Sequence, residues 1–513
     1  MVPEYVPGLT ISPGNTPLGA EEPLDANIIA PFTMQTTAAV EQGCPPAALY
    51  PGPEGWYNND VRPVPFEPGA FLPTPIPPKP ANPYEEELTY RGKYAVPVQR
   101  PWVEWWRPFY VPGTPPPARA TFGPTNLLNP HFMVYGDYRT GVGINRNAAG
   151  RLNSWAHRLN LDMDLQLTAT ERIHGFMGPL DDGANFTRLD FTDSAFTKFE
   201  GDARFDTLFF EGDLGAITGG FKKTSAPFDL PFTFGLVPLL YQNGIWMQDA
   251  VLGAAFAIPS RNSSTLRWSN FDATFFAAVD QINSDAFKGS NSAAEMIGTA
   301  WFIEAYEGYI EFDYAYLHDD VGLNRSYNNL SAAYTRRYLD RLSNSVRVIS
   351  NFGQELPDAQ KTADGYLLLV ENSLISFLPN RFVPYCNLFY GSGKPQPAAR
   401  VGGPLQNTGI NFESDGLTGY PTLDASGHNT YGGALGLNIH GVNYYDQLIL
   451  ELAALGTYGS APFRQVAGDQ YATGVRYQRP ITNAWLMRLD AMYGILDNAR
   501  DIQGVRGELR WKF

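Results

Sequence analysis

Val505-Arg-Gly-Glu-Leu-Arg-Trp-Lys-Phe513 reads in pairs. Val505, Gly507, Leu509, Trp511 and Phe513 fall on one face of an extended chain, and Arg506, Glu508, Arg510 and Lys512 on the other. Side chains of a strand alternate between its two faces, so this stretch separates an apolar surface from a charged one with a period of two. The same texture recurs upstream. Trp485, Met487, Leu489, Ala491 and Tyr493 alternate with Leu486, Arg488, Asp490 and Met492, and Tyr471, Thr473, Val475 and Tyr477 alternate with Ala472, Gly474 and Arg476. Ile310, Phe312, Tyr314 and Tyr316 flank Glu311 and Asp313, and Leu159, Leu161, Met163 and Leu165 flank Arg158, Asp162 and Asp164.

Working back from Phe513, the pattern predicts strands over 502–513, 484–496, 470–479, 444–456, 431–440, 382–391, 364–375, 342–351, 329–338, 308–317, 296–304, 267–280, 249–258, 231–238, 204–219, 171–179, 155–167 and 131–141. Their connections alternate in length. Short ones (168–171, 305–307, 339–341, 376–381, 441–443, 480–483) fall on one side and long ones (180–203, 281–295, 318–328, 352–363, 392–430, 457–469) on the other. An even strand number with short turns at one end and long loops at the other is the pattern of a transmembrane barrel, and a soluble sandwich has no reason to produce it. The expected fold is therefore all-β: a transmembrane antiparallel β-barrel of about 18 strands, within a range of about 16 to 20.

Composition agrees. The 513 residues carry a net charge of -15 with only 17% charged residues, and the acidity belongs to solvated loops. No run of about 18 apolar residues occurs, which excludes a helical membrane protein and leaves a barrel open, because its strands show only alternate apolar positions. Nucleic acid is an unsuitable partner for so acidic a chain. Roughly two thirds of the 42 prolines precede residue 131. Residues 1–128 are expected to form a proline-rich extended segment outside the barrel, with 129–513 as the barrel itself. The aromatic run Pro101-Trp-Val-Glu-Trp-Trp-Arg-Pro-Phe-Tyr110 is too apolar for a free linker and is expected to dock on the barrel. Met1-Val-Pro-Glu-Tyr5 shows no export signal, which is taken as removed from an exported chain.

Chemistry-bearing patterns are few. The six histidines form no HExxH pair and no GxSxG elbow is present, so no enzymatic role and no cofactor are expected. Asp181, Asp182, Asp190 and Asp193, and separately Asp319 and Asp320, supply hard oxygens suited to Ca²⁺, although solvated loop charge is the simpler reading. Arg158, Asp162, Asp164, Glu311, Asp313, Arg476, Arg488, Asp490, Arg506, Glu508 and Arg510 are the expected lining of a water-filled lumen, where segregated charges orient dipolar solutes or simply satisfy one another.

The alternating end with Trp511 and Phe513 resembles the C-terminal assembly signal of Gram-negative outer-membrane porins. More distantly, His131-Phe-Met-Val-Tyr-Gly-Asp-Tyr-Arg139 and Ala156-His-Arg-Leu-Asn-Leu-Asp-Met-Asp-Leu-Gln-Leu-Thr-Ala-Thr-Glu-Arg172 resemble large porin-like proteins of planctomycete-type bacteria and alginate-export-like barrels. The resemblance implies an outer-membrane channel for small hydrophilic solutes or ions, surrounded by lipid, with both termini in the periplasm. It also implies recognition of Trp511 and Phe513 by the barrel assembly machinery. The alternative is a structural envelope protein whose barrel is plugged and whose residues 1–128 bind peptidoglycan or another envelope protein. In porins the loop after the fifth strand folds inward, which makes Tyr241, Gln242, Trp246 and Gln248 the candidate constriction; an interfacial or oligomer-contact loop is the competing reading. Trimers are expected by the same resemblance, and small residues in Val251-Leu-Gly-Ala-Ala-Phe-Ala257 would allow close wall contact. Strand direction places Cys386 near the periplasmic rim, so a Cys44–Cys386 disulfide would pin the proline-rich segment there; two buried thiols are the alternative.

Overall fold

The computed structural model describes residues 101–106 and 118–513, apart from 184, 288, 289, 414, 415, 442, 443, 462, 463, 465, 466 and 483. Most of the proline-rich segment, Cys44 included, therefore lies outside the described residues. Eighteen antiparallel strands form the wall: β1 His131–Asn147, β2 Gly150–Gln166, β3 Arg172–Met177, β4 Thr207–Asp213, β5 Pro231–Tyr241 and β6 Met247–Ser263 open the chain. They are followed by β7 Trp268–Asp280, β8 Ala294–Ala305, β9 Gly308–Asp319, β10 Tyr327–Tyr338, β11 Leu342–Phe352 and β12 Asp364–Leu374. β13 Phe382–Lys394, β14 Thr430–His440, β15 Gln447–Thr457, β16 Gln470–Pro480, β17 Trp485–Leu496 and β18 Ile502–Lys512 complete it. Each strand pairs with its neighbours in sequence, and β18 returns to β1 over ten residue pairs, from Asp137↔Lys512 to Arg146↔Gln503, so the sheet is closed.

The two faces sort as the alternation demands. Val505, Leu509, Leu489, Tyr493, Leu435, Leu452, Ile297 and Val279 stand exposed on the outside, while Arg506, Glu508, Arg488, Asp490, Arg476 and Asp313 are buried within. An apolar exterior around a charged interior suits a wall standing in lipid, where closure leaves no strand edge without backbone partners. Cys386 lies on this outer face, paired in register with the exposed Leu435, and its expected disulfide with Cys44 lies outside the described residues.

All eighteen expected strands are present, with one shortened. The stretch 204–219 is strand only over Thr207–Asp213, after which Leu214–Lys222 forms a helix, α1. Asp213 caps it by accepting from the Ala216 amide at 2.7 Å. Small residues let its backbone press on the segment before β1: a Cβ on Gly123 would lie 1.8 Å from the Gly220 carbonyl oxygen. Ahead of the barrel, Val103–Trp105 is a short strand of the same sheet, paired with β1, and Arg119 bridges Leu128.

The connections alternate in length. Those at the Phe513 end are mostly tight, including the two-residue Tyr306-Glu307 turn and the three-residue 339–341 turn. Both of the latter's first residues, Leu339 (φ 52°) and Asp340 (φ 55°), occupy the left-handed region that favours Asn and Gly. Leu339 is 93% exposed, so its side chain contributes little that could be lost. Replacing Leu339→Asn with Asp340→Gly should raise stability by about 1 kcal/mol, measured as a shift in the urea midpoint of the reconstituted barrel.

Candidate functional site

The inner wall from β16 round to β2 carries a network centred on Asp490. Its carboxylate accepts from Arg476 Nε at 2.7 Å, Arg488 Nε at 2.8 Å and Arg506 Nε at 2.8 Å. The register explains the meeting: Arg476, Asp490 and Arg506 are direct cross-strand partners on β16, β17 and β18, and Arg488 faces Glu508 one row away. Beside them Arg139 grips Glu508 through Nε at 2.9 Å and Nη2 at 2.8 Å, the two-pronged geometry that suits a planar carboxylate. Arg510 pairs with Asp137 at 3.1 Å, and Arg158 with Asp181 at 3.1 Å. Asp164 pairs with Arg172 at 3.3 Å and Asp162 with His174 at 3.4 Å.

Across the lumen the balance is acidic. Glu311, Asp313 and Glu371 surround Arg347, which donates to Glu371 at 2.7 Å and lies 3.9 Å from Glu311. Gln242 ties this wall to the short 242–246 loop. Its amide donates to Asp313 at 2.6 Å while its oxygen accepts from Arg347 at 2.7 Å and Ser331 at 2.8 Å. Trp246, fully buried, donates to Asn329 at 2.8 Å. Tyr241 packs beneath it, 6.0 Å from the Trp246 ring and 5.9 Å from Phe276. Gln248 meets Asn407 at 3.4 Å.

Asn407 belongs to the element that dominates the interior. The 395–429 connection between β13 and β14, expected from its length to stand outside as a loop, instead folds into the barrel. Its Ala399–Arg400 segment pairs in parallel with Met247 and Gln248 on β6. Glu451 on β15 accepts from the amides of Ile410 at 3.0 Å and Asn411 at 2.9 Å, and from Tyr385 at 2.5 Å. Glu413 reaches Arg476 at 2.6 Å and Arg488 at 3.5 Å, Tyr420 lies under the Arg506 guanidinium at 4.6 Å, and Asn145 of β1 donates to the Thr418 carbonyl at 2.8 Å. On the other side Gln396 bonds to Asn329 at 3.0 Å and Asn351 at 2.8 Å. The loop is thus held to β1, β6, β10, β11 and β15–β18, on both sides of the interior. Burial alone would raise the Glu413 carboxyl, but Arg476 and Arg488 beside it hold it below its ordinary value. Burial pushes Arg400 down to about 10, with Gly244 and Asn407 oxygens 2.8 and 3.0 Å from its guanidinium.

Arg139, Arg347, Glu371, Glu413 and Glu451 join the expected lining. Arg347 between Val346 and Val348, and Glu451 between Leu450 and Leu452, carried the same period-two signal as the residues first singled out. Glu413 carried none. The acidic loop residues do not converge on a cation: Asp181 faces Arg158, Asp190 accepts from the Thr192 amide, and Asp319 pairs with Arg325 at 3.1 Å. Among the described residues no three His, Cys, Asp or Glu side chains come together as a metal site.

Asp490→Asn leaves three arginines around a neutral amide and should cost about 3–5 kcal/mol, seen as a lower temperature for conversion to the heat-denatured gel band. Because docking holds Glu413 below its ordinary value, its contribution to loop docking is present above that ordinary value and is lost as pH falls through the lowered one. Hydrogen exchange of 403–425, corrected for the intrinsic rate, should be flat from about pH 7 to pH 5 and rise below about pH 4.5, and Glu413→Gln should abolish the step.

No family model and no curated protein matches this chain. The solved structures to which it is similar include three Pseudomonas aeruginosa proteins, each with 74% of this chain covered and a TM-score of 0.49. They are the outer membrane protein OpdK (11% identity, 98% of that chain), OccK9, also called OpdG (12%, 98%), and OccK2, also called OpdF (9%, 97%).

Proposed function

We propose that this chain is an outer-membrane channel through which small hydrophilic solutes or ions diffuse, narrowed by the 242–246 and 395–429 loops. The observation that carries the reading is the contrast between the two inner walls, one densely ion-paired and the other acidic. On one wall Arg139, Arg158, Arg172, His174, Arg476, Arg488, Arg506 and Arg510 meet Asp137, Asp162, Asp164, Asp181, Glu413, Asp490 and Glu508; on the other, Glu311, Asp313 and Glu371 surround Arg347. Such walls place a transverse field across the path, which orients dipolar solutes. Near-complete pairing of the arginines leaves weak selectivity, leaning to cations through the acidic mouths. In this reading the Phe513 end, with its tight turns, faces the periplasm, and Trp511 and Phe513 are the surface presented to the assembly machinery. Trimers would form through walls such as Leu252, Ala254 and Phe256, which face outward.

The plugged-barrel alternative draws support from the burial of 395–429 and its bonds around the wall. Planar-bilayer recording separates the two. The channel reading expects steps of conductance from the intact protein, with a small cation-side reversal potential in a salt gradient. Silence from the intact protein, with conductance appearing only when 403–425 is deleted, would establish the plug instead.

A further inference from the structure

At Gly136 the partner of β1 changes. Followed back from Arg146, β1 is paired with β18 as far as Asp137, and Gly136 exchanges both backbone bonds with Phe513 at 3.0 Å. Beyond it the partner is Val103–Trp105, antiparallel, with Val103↔Val134, Glu104↔Met133 and Trp105↔Phe132 in register. The opposite edge of β1 is paired with β2 throughout, from His131 to Asn147. Without residues 103–105, an open strand edge would therefore stand at the rim, beside the one place where strands remote in sequence must meet. Open edges of this kind recruit other strands.

The side chains fasten the same point. Trp102 stacks face to face on Phe513, with centroids 3.7 Å apart and planes within 9°, and it also lies 6.0 Å from Trp511. Trp105 packs on Phe132 at 5.3 Å. Glu104 lies 3.0 Å from His131 Nε2 inside the rim, where His131 is 1% exposed. Pairing, ring stacking and a buried polar contact converge within five residues of chain.

We propose that residues 101–106 are an intramolecular clasp that locks the β1–β18 seam. They occupy the β1 edge and the Phe513 ring that any other strand-donating partner would use, whether assembly machinery or a second copy of this chain. This inference is independent of whether the lumen conducts.

The test uses the full chain in native outer-membrane extracts, with Cys44→Ser and Cys386→Ser as background. Val103→Cys with Val134→Cys, treated with a short thiol cross-linker, should give a link within one chain that migrates at monomer size. Trp102→Ala with Glu104→Gln should lower the heat-modification transition by several degrees, while Phe377→Ala, exposed at the same end, should leave it unchanged. Links between chains, or no link, would overturn the proposal, as would an unaltered transition in the double variant. The cross-link reads the seam with both tryptophans intact, so it decides the matter even where the double variant fails to assemble.

Discussion

Every backbone amide and carbonyl within hydrocarbon needs a partner, and an open sheet leaves two rows of them without one. The ten residue pairs between β1 and β18 remove both rows at once. The rest of the molecule follows from that closure. Once the sheet is a ring, each residue has only an outside in lipid or an inside away from it, so the period-two alternation becomes a separation between two solvents. Charged residues on the inner positions lose their access to bulk water as the interior fills, and they must find one another.

They do so with geometric economy. Asp490 serves three arginines and Arg139 engages Glu508 through two bonds, arrangements in which charge-assisted hydrogen bonds offset the cost of desolvation. The acidic excess near Arg347, facing a densely ion-paired wall, is what remains after this pairing. The 395–429 loop draws on the same resource: Glu413 completes the arginine cluster, and Glu451 from the wall satisfies two of the loop's amides. Backbone brought into a barrel interior is tolerated where such partners exist.

The strands were legible because alternation and turn spacing are local properties, readable even where turns such as Tyr306-Glu307 lack glycine. Inner positions such as Arg476 or Asp313 were legible by parity. What stayed hidden depends on distant partners. The Leu214–Lys222 helix carries three glycines that read as a broken strand; Gly220 makes sense only against Phe122 and Gly123, and Gly215 and Gly219 only against the chain at 224–228. The 395–429 loop has the Gly, Pro and Asn content of an external connection, and nothing local in Glu413 announces two arginines on strands 60 or more residues away. Val103–Trp105 is three residues long, too short for any periodicity, and its role is set by what lies beside it.

The reach of the inward loop has a consequence for the order of folding. Glu413 binds Arg476 of β16, Thr418 binds Asn145 of β1, and Arg139 binds Glu508, 369 residues away. The loop's binding surface therefore does not exist until both ends of the sheet have come together. Contacts of such sequence separation form late and slowly, since chain entropy must be lost before they return anything. The loop is then among the last pieces to settle and among the first that must leave on unfolding. Its many bonds set the barrier to escape as much as the depth of the native well, which gives the barrel kinetic persistence beyond its equilibrium stability.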